Sequence, residues 1–277
     1  MGMVVNFNAA ALNAQRNLGM TSKGLNQSIQ RLSSGLQVNS AADSPAGLVI
    51  SQQMRSKADG MSQAIKNSND GVNLIKTAEG ALNEVHSLLR QMRTLSVHAA
   101  NEGINSANDL AADQAAIAAA ADSIDRIAAS TRFNGKVLLD GSYTAQTLQI
   151  GEESTDTLTI NIADLTAVGL GVDSGTLDVT VAGGGATAIG LIDTAIQTIS
   201  TARAELGATQ RYTLEATLNS LSVSEENIRS SESAIRDADM SKEMVEFTRN
   251  NIMMQAGTSM LAQANQSSQS VLSLLKG

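Results

Sequence analysis

Four groups of residues in the sequence could do chemistry. Gly183-Gly184-Gly185-Ala186-Thr187-Ala188 fits G-x-G-x-x-[GA], follows a strand-like run, and has Glu205 twenty residues after Gly185. In a dinucleotide-binding fold such glycines let backbone amides approach a pyrophosphate at a helix N-terminus. That fold then needs a second parallel strand ending at the acidic residue. Here LGATQRYTLEATLNSL after Glu205 continues as helix, so the glycines are expected to form a flexible turn from hairpin into helix. Ser273-Leu274-Leu275-Lys276 spells the S-x-x-K of penicillin-recognising enzymes, without the S-D-N or K-T-G that accompany it. It reads as a helix tail. His86 and His98 are the only histidines. On one helix they would stand about 18 Å apart and roughly 120° around the axis, too far to share a metal. Asp237 and Asp239 have the spacing of a calcium loop, but Lys242 takes its glycine position and Thr248 its terminal glutamate. Helix-terminal charge is the expected role. No catalytic, cofactor-binding or metal-ligating residue follows from this set, and the chain is read as a non-enzyme.

Composition narrows the remaining classes. Net charge is −8, from 19 basic and 27 acidic residues, which argues against a nucleic-acid partner. Zero cysteine removes disulfides and thiolate chemistry. Aromatic residues make up 2% of a chain that is 42% hydrophobic. Thin helix-to-helix seams suit that content better than a thick core built on rings. MGMVVNFNAAALNAQRN at the start has neither a basic n-region nor a long apolar stretch. No run is apolar for long enough to span a membrane, so the expectation is a cytosolic chain or one exported without a cleaved signal.

The elements that would carry these residues are mostly helices with heptad stripes. Leu18, Ser22, Leu25, Ile29, Leu32 and Leu36 alternate steps of four and three near the N-terminus. Phe247, Met254, Leu261, Ser268 and Leu275 recur every seven residues near the C-terminus, with Asn250, Gly257, Ala264 and Val271 between them. Longer stripes lie inside: Val72, Ile75, Leu82, Val85, Leu89 and Met92, then Leu110, Ile117 and Ile124 after a loop around residues 101–108, then Leu214, Leu221, Ile228 and Ile235. A helix carrying Ile192, Ile196 and Ile199 is expected from near Ile189. Three long helices packed as a bundle accommodate these stripes.

The middle of the chain differs. After the turn Arg132-Phe133-Asn134-Gly135 come TLQI (147–150), LTINIADL (158–165) and LDVTVA (177–182), β-branched and partly alternating. They read as short strands and hairpins. Residues 39–51, with the only proline, read as a non-helical connector. The expected fold is mainly α with a small β region. It is a long antiparallel helical bundle or coiled coil, with N- and C-terminal helices paired and a β-hairpin insert in the middle. The expected divisions are 1–43 with 240–277 for the terminal helices, 44–139 with 188–239 for the bundle, and 140–187 for the insert.

Neither terminal stripe is stable alone, so pairing of the two ends is expected, with a second face rich in Ala, Ser, Asn and Gln left for copies of the chain. Head-to-tail contacts that do not close give helical filaments. The residues alone leave an ordinary coiled-coil bundle open beside this self-associating subunit.

Arg31-Leu32-Ser33-Ser34-Gly35 and NSAADSPAGLVIS (39–51) resemble the N-terminal signature of bacterial flagellin. NDGVNLIKTAEGALNE (69–84), IDRIAASTRFNG (124–135) and ENIRSSESAIRDADMSKEM (226–244) are similar to its internal segments, and NIMMQAGTSMLAQANQSSQSVLSLL (251–275) to its last helix. The matches run in the family's order and cover nearly the whole chain outside the insert. The resemblance implies a structural subunit of the motility filament, exported unfolded by the flagellar type III apparatus to an extracellular filament. Its terminal helices would line the inner tube, with Leu25, Ile29, Leu32, Leu36, Met254, Leu261, Val271 and Leu275 as self-assembly residues. Implied partners are copies of itself, an export chaperone on the C-terminal helix, and filament cap and junction proteins; nucleic acid and membrane are not among them. The short insert implies a compact member, and two histidines exclude the metalloprotease that some members carry there. A hook–filament junction protein and a secreted adhesin-like binding module are the alternative readings.

Leu-Leu-Arg-Gln-Met-Arg-Thr-Leu (88–95) resembles the segment that Toll-like receptor 5 contacts in many flagellins, Leu-Gln-Arg-Val-Arg-Glu-Leu. Leu89, Arg93 and Leu95 match. Arg90 stands for the glutamine, Gln91 for the first arginine and Thr94 for the glutamate. Ala116 stands where a contacting glutamate is expected. A glutamine does not replace an arginine anchor, so weak receptor engagement is expected. Hydroxyls at Ser142, Thr144, Thr147, Ser154 and Thr155 lie in the insert, the outward-facing region of the family.

Overall fold

A computed structural model of the chain describes residues 8–276, with side chains described as far as residue 266. The protein is mainly α-helical: α1 (Ala9–Ser34), α2 (Pro45–Ala99), α3 (Ala107–Ser130), α4 (Gly184–Ala208), α5 (Glu215–Arg236) and α6 (Met240–Lys276). Two antiparallel hairpins lie between α3 and α4. They are β1 (Arg132–Phe133) with β2 (Lys136–Val137), and β3 (Gln146–Gln149) with β4 (Thr157–Ile160). The chain divides into two compact units, residues 57–226 and the flanking segments that end at Ser56 and begin at Asn227.

In the unit formed by residues 57–226, the heptad stripes meet in one core. Ile75, Leu82, Val85, Leu89 and Met92 of α2 pack with Ile117 and Ile124 of α3 and with Ile192, Ala195 and Ile199 of α4. The insert joins the same core through Leu139, Ile160, Ile162, Leu165, Val172, Leu177 and Val179. Branched aliphatic side chains fill the space that aromatics occupy in most cores of this size. The loop between α2 and α3 closes on a capping box. Ser106 and Asp109 exchange side-chain-to-backbone hydrogen bonds, which satisfies the amides exposed at the helix start.

Several boundaries differ from the sequence expectation for identifiable reasons. The connector is shorter than residues 39–51, because α2 begins at Pro45. Proline at the first helical position loses an amide that would have no partner there. Ser44 precedes it as the cap, accepting from the Gly47 amide at 3.1 Å. Residues 39–43 remain non-helical, held by the Asp43 carboxylate, which accepts from the amides of Asn39 and Ser40. Helix α4 begins at Gly184, five residues before Ile189.

Residues 177–182 are not a strand. Leu177 and Val179 are buried and Asp178 and Thr180 exposed, so the two-residue period is real. The partner is a side chain, however: Gln114 of α3 donates to the Leu177 carbonyl at 2.7 Å and accepts from the Val179 amide at 2.9 Å. One glutamine amide does what a neighbouring strand would do at those two groups.

The stripe of Leu214 continues from α4 through a π-helical turn, Thr209–Leu214. The wider turn keeps both Leu206 and Leu214 in the core, although they lie eight residues apart. At Gly71 an added Cβ would stand 2.5 Å from Leu148 of β3, so glycine lets the insert lie directly on α2.

Candidate self-assembly surface

Helices α1 and α6 pair antiparallel. Asn8 Nδ2 donates to the Ala264 carbonyl at 3.0 Å. A Cβ on Gly257 would meet Leu18 at 2.8 Å, and one on Gly24 would meet Asn250 at 3.2 Å. Two glycines, one per helix, therefore permit a close approach. Arg31 and Glu243 close the far end as an ion pair at 3.6 Å. Each charge also complements its own helix: Arg31 lies in the last turn of α1 and Glu243 in the first turn of α6.

The turn between α5 and α6 is bound to the end of α1. Gly35 takes a left-handed φ of 73° and caps α1 on the Arg31 carbonyl. The Gln37 amide then reaches the Arg236 carbonyl at 2.7 Å, and the Ala238 amide the Gly35 carbonyl at 2.9 Å. Asp239 caps α6 by accepting from the amides of Ser241 and Lys242, while Asp237 accepts from Ser233. Both aspartates thus serve helix ends.

The seam differs in register from the bulkiest reading of the sequence. Leu18, Leu25 and Leu32 are half-buried in it, but Ser28 is buried and Ile29 is 47% exposed. Ser28 lies between the Gly24 and Arg31 contacts, on the face turned to α6. Leu36, Met254 and Leu261 are half-buried. The side chains of Val271 and Leu275 lie outside the described residues.

The paired helices bury little. Ser28 is the one buried side chain of α1 among the described residues, and α5 has none. Glu243 is the one on α6 among the described residues. Large apolar side chains face outward instead: Leu12, Met20, Ile29, Met240, Met244, Val245, Ile252, Met253 and Met260. Met244, Val245, Thr248, Arg249, Ile252 and Met253 line a groove of about 500 Å³ on α6.

In the other unit, residues 88–95 divide by depth. Leu89 and Met92 are fully buried, Leu88 and Leu95 half-buried, and Arg90, Gln91, Arg93 and Thr94 exposed. Arg93 is already engaged, donating to Asp193 of α4. Ala116 is exposed on α3, one turn beyond Asp113, whose carboxylate meets His98 Nδ1 at 2.6 Å. That hydrogen bond, and next the carboxylate's charge, hold the His98 pKa above its ordinary value. His86 keeps a shielded Nδ1 without a partner.

The glycine run carries no nucleotide geometry. An added Cβ on Gly184 would stand 2.1 Å from the Asp178 carbonyl, and one on Gly185 2.5 Å from the Ala100 nitrogen. These two glycines are buried where backbones press together, rather than forming a loose turn. The amide of Gly183 donates to the Glu102 carboxylate, so an anion of the chain itself sits at the α4 N-terminus. Among the described residues, no three histidine, aspartate or glutamate side chains cluster as a metal site would need, and no helix is long and apolar enough to cross a membrane. The absence of a second strand in the sequence argues against a nucleotide site, but the expected flexible turn misses the close packing of these glycines. Nothing in the sequence flagged Gln114 or the Arg93–Asp193 pair.

The chain matches two family regions, the bacterial flagellin N-terminal helical region over residues 5–144 and the C-terminal helical region over residues 189–275. It is 43% identical over 305 residues to a flagellin of Bacillus subtilis, with 99% of this chain and 100% of that protein covered. It is 41% identical over 288 residues to the flagellar filament 33 kDa core protein of Treponema phagedenis, at the same coverage. Among solved structures, Bacillus cereus flagellin aligns at 32% identity and a TM-score of 0.50, over 56% of this chain and 88% of that one. With both helical regions matched and full-length identity above 40%, the chain belongs to the bacterial flagellin family.

Proposed function

We propose that the chain, a structural subunit of the bacterial flagellar filament, polymerises through its paired terminal helices. Leu25, Ile29, Leu32, Leu36, Met254 and Leu261 would be contact residues on this surface, and Val271 and Leu275 would extend it. The supporting observation is an imbalance. Helices α1 and α6 hold almost no buried apolar side chain among the described residues, yet carry most of the large exposed ones. A thin helical pair gains little from its own seam, whereas neighbouring copies can cover Ile29, Val245 and Ile252. Contacts that repeat without closing generate a helical polymer.

Electron microscopy of the intact chain and of a chain trimmed by protease at both ends tests this. Filaments should form from the intact chain and be lost on trimming, while residues 57–226 keep their helical signal. Filaments of ordinary length from the trimmed chain would overturn the proposal.

Family membership supports the rest of the assignment. The chain is a component of the extracellular flagellar filament. Its export unfolded through the flagellar type III apparatus, a chaperone on α6, and cap and junction proteins at the filament ends are the expected accompaniments. A junction protein and an adhesin-like module are not favoured, because both flagellin regions match. Weak engagement of Toll-like receptor 5 is proposed from Gln91, exposed where the receptor would find an arginine, and from Ala116. Gln91→Arg should raise potency in a receptor reporter assay by about tenfold or more, as restoring a hot-spot arginine does. A native chain already as potent as receptor-active flagellins would overturn this part.

A further inference from the structure

The chain has no cysteine, so methionine thioethers are its only sulfur. The most buried and the most exposed of the methionines with described side chains fall in different units, while Met54 and Met254 are half-buried. Met61 and Met92, in residues 57–226, are buried. Met20, Met240, Met244, Met253 and Met260, all on α1 and α6, are between 47% and 65% exposed. Met244 and Met253 line the α6 groove. Thioethers exposed to solvent are the ones peroxides reach.

We propose that these five methionines are a modification site. Oxidation of the unassembled chain by a peroxide-class oxidant converts them to sulfoxides and blocks polymerisation. The inference rests on the reading that α1 and α6 carry the subunit contacts. The sulfur lone pair attacks one peroxide oxygen, and an S–O bond forms as the O–O bond breaks. Sulfur loses two electrons, and the other oxygen takes up the proton and leaves as water. The product is a strong hydrogen-bond acceptor in place of an apolar, adaptable side chain.

A sulfoxide buried against another subunit needs a donor, and the groove offers few: its hydroxyl and one guanidinium nitrogen are already engaged. Thr248 Oγ1 donates to the Met244 carbonyl at 2.8 Å, and Arg249 Nη1 to Glu246 at 2.9 and 3.1 Å. An acceptor that gives up its water there without a matching donor costs free energy on assembly. Leucine has similar size and helix preference and does not react. Replacing all five by leucine keeps the apolar surface and removes the chemistry at these five positions.

The test uses the full chain as monomer. It is treated with hydrogen peroxide, quenched with catalase, and followed by light scattering and electron microscopy, with peptide mass spectrometry locating the added oxygen. The five methionines should oxidise before Met61 and Met92, and polymerisation should slow by about tenfold or more. Treatment with methionine sulfoxide reductases for both epimers should restore it, and assembled filaments should oxidise more slowly at these positions. The five-leucine variant should polymerise as the untreated chain does and lose most of the sensitivity to peroxide. Undiminished polymerisation of the oxidised chain overturns the inference and leaves the assembly reading standing. So does a five-leucine variant that is as peroxide-sensitive as the native chain. An untreated native chain that forms no filament overturns both. Should the variant itself fail to assemble, reversal by the reductases decides, and no recovery counts against the site.

Discussion

Arg93 on α2 donates from Nε to Oδ1 of Asp193 on α4 at 2.6 Å, and its Nη2 reaches Oδ2 at 3.4 Å. The pair ties two helices one hundred residues apart in sequence, at the edge of the segment that resembles a receptor contact. The hydrogen bond first, and charge second, hold the Asp193 carboxyl below its ordinary range. Both side chains are about half exposed, so solvent and salt screen the pair. Asp193→Asn should lower the melting temperature slightly at low ionic strength and by less at 1 M salt. A group with a depressed pKa stabilises above its unfolded value, so the contribution should vanish as pH falls through the folded-state value. Melting curves of the two chains across acid pH check this.

Gln114 should prove more sensitive than its half-buried surface position suggests. Gln114→Ala leaves the Leu177 carbonyl and the Val179 amide without their partner in a buried segment. Loss of about 1–3 kcal/mol is expected, with faster hydrogen exchange at the Val179 amide. Gln114→Glu keeps the acceptor but removes the donor, and should protect Val179 while still destabilising the chain. Unchanged exchange at Val179 in the alanine variant would show that a neighbour takes over.

Two glycines of α4 should respond in opposite directions. Gly185→Ala places a Cβ 2.5 Å from the backbone nitrogen of Ala100, which cannot swing aside. A loss of about 1–3 kcal/mol in urea unfolding is expected. Gly190 is exposed on the same helix with nothing within 4 Å of an added Cβ. Gly190→Ala should gain about 0.5–1 kcal/mol from helix preference alone.

His98 should titrate above 6.5, its ordinary value, because Asp113 accepts its hydrogen bond and lends a negative charge. A raised folded-state pKa contributes stability that is complete below the unfolded value and is lost as pH rises through the folded one. The junction of α2 with the loop at residues 100–106 should therefore loosen as pH rises through the raised value. Asp113→Asn should return the ring's titration, followed by NMR, toward the ordinary value and flatten the dependence. An unchanged titration would exclude the pair as its cause.

Much of the fold was legible because burial follows helical period. The stripes of α2 and α3 mark the fully buried Leu82, Leu89, Ile117 and Ile124, since a helix with one apolar face must turn it inward. The insert was harder. Residues 177–182 alternate as a strand does, and alternation reports only which side chains are buried. Whether the backbone pairs with a strand or with Gln114 is a long-range matter across more than sixty residues, invisible to local pattern.

The terminal helices show the same division. By itself the sequence determined the family, the pairing of the two ends, and the spacing of Leu18, Leu25 and Leu32. Only the tertiary structure decided that Ser28 rather than Ile29 lies in the seam, and that Arg93 is bound to Asp193. It also decided that the glycine run packs against Ala100. Heptad spacing fixes an angle around one helix to within a residue, because i+3 and i+4 are nearly equivalent positions on the face. Which of two neighbours turns inward depends on how the partner helix docks, and the partner is more than two hundred residues away.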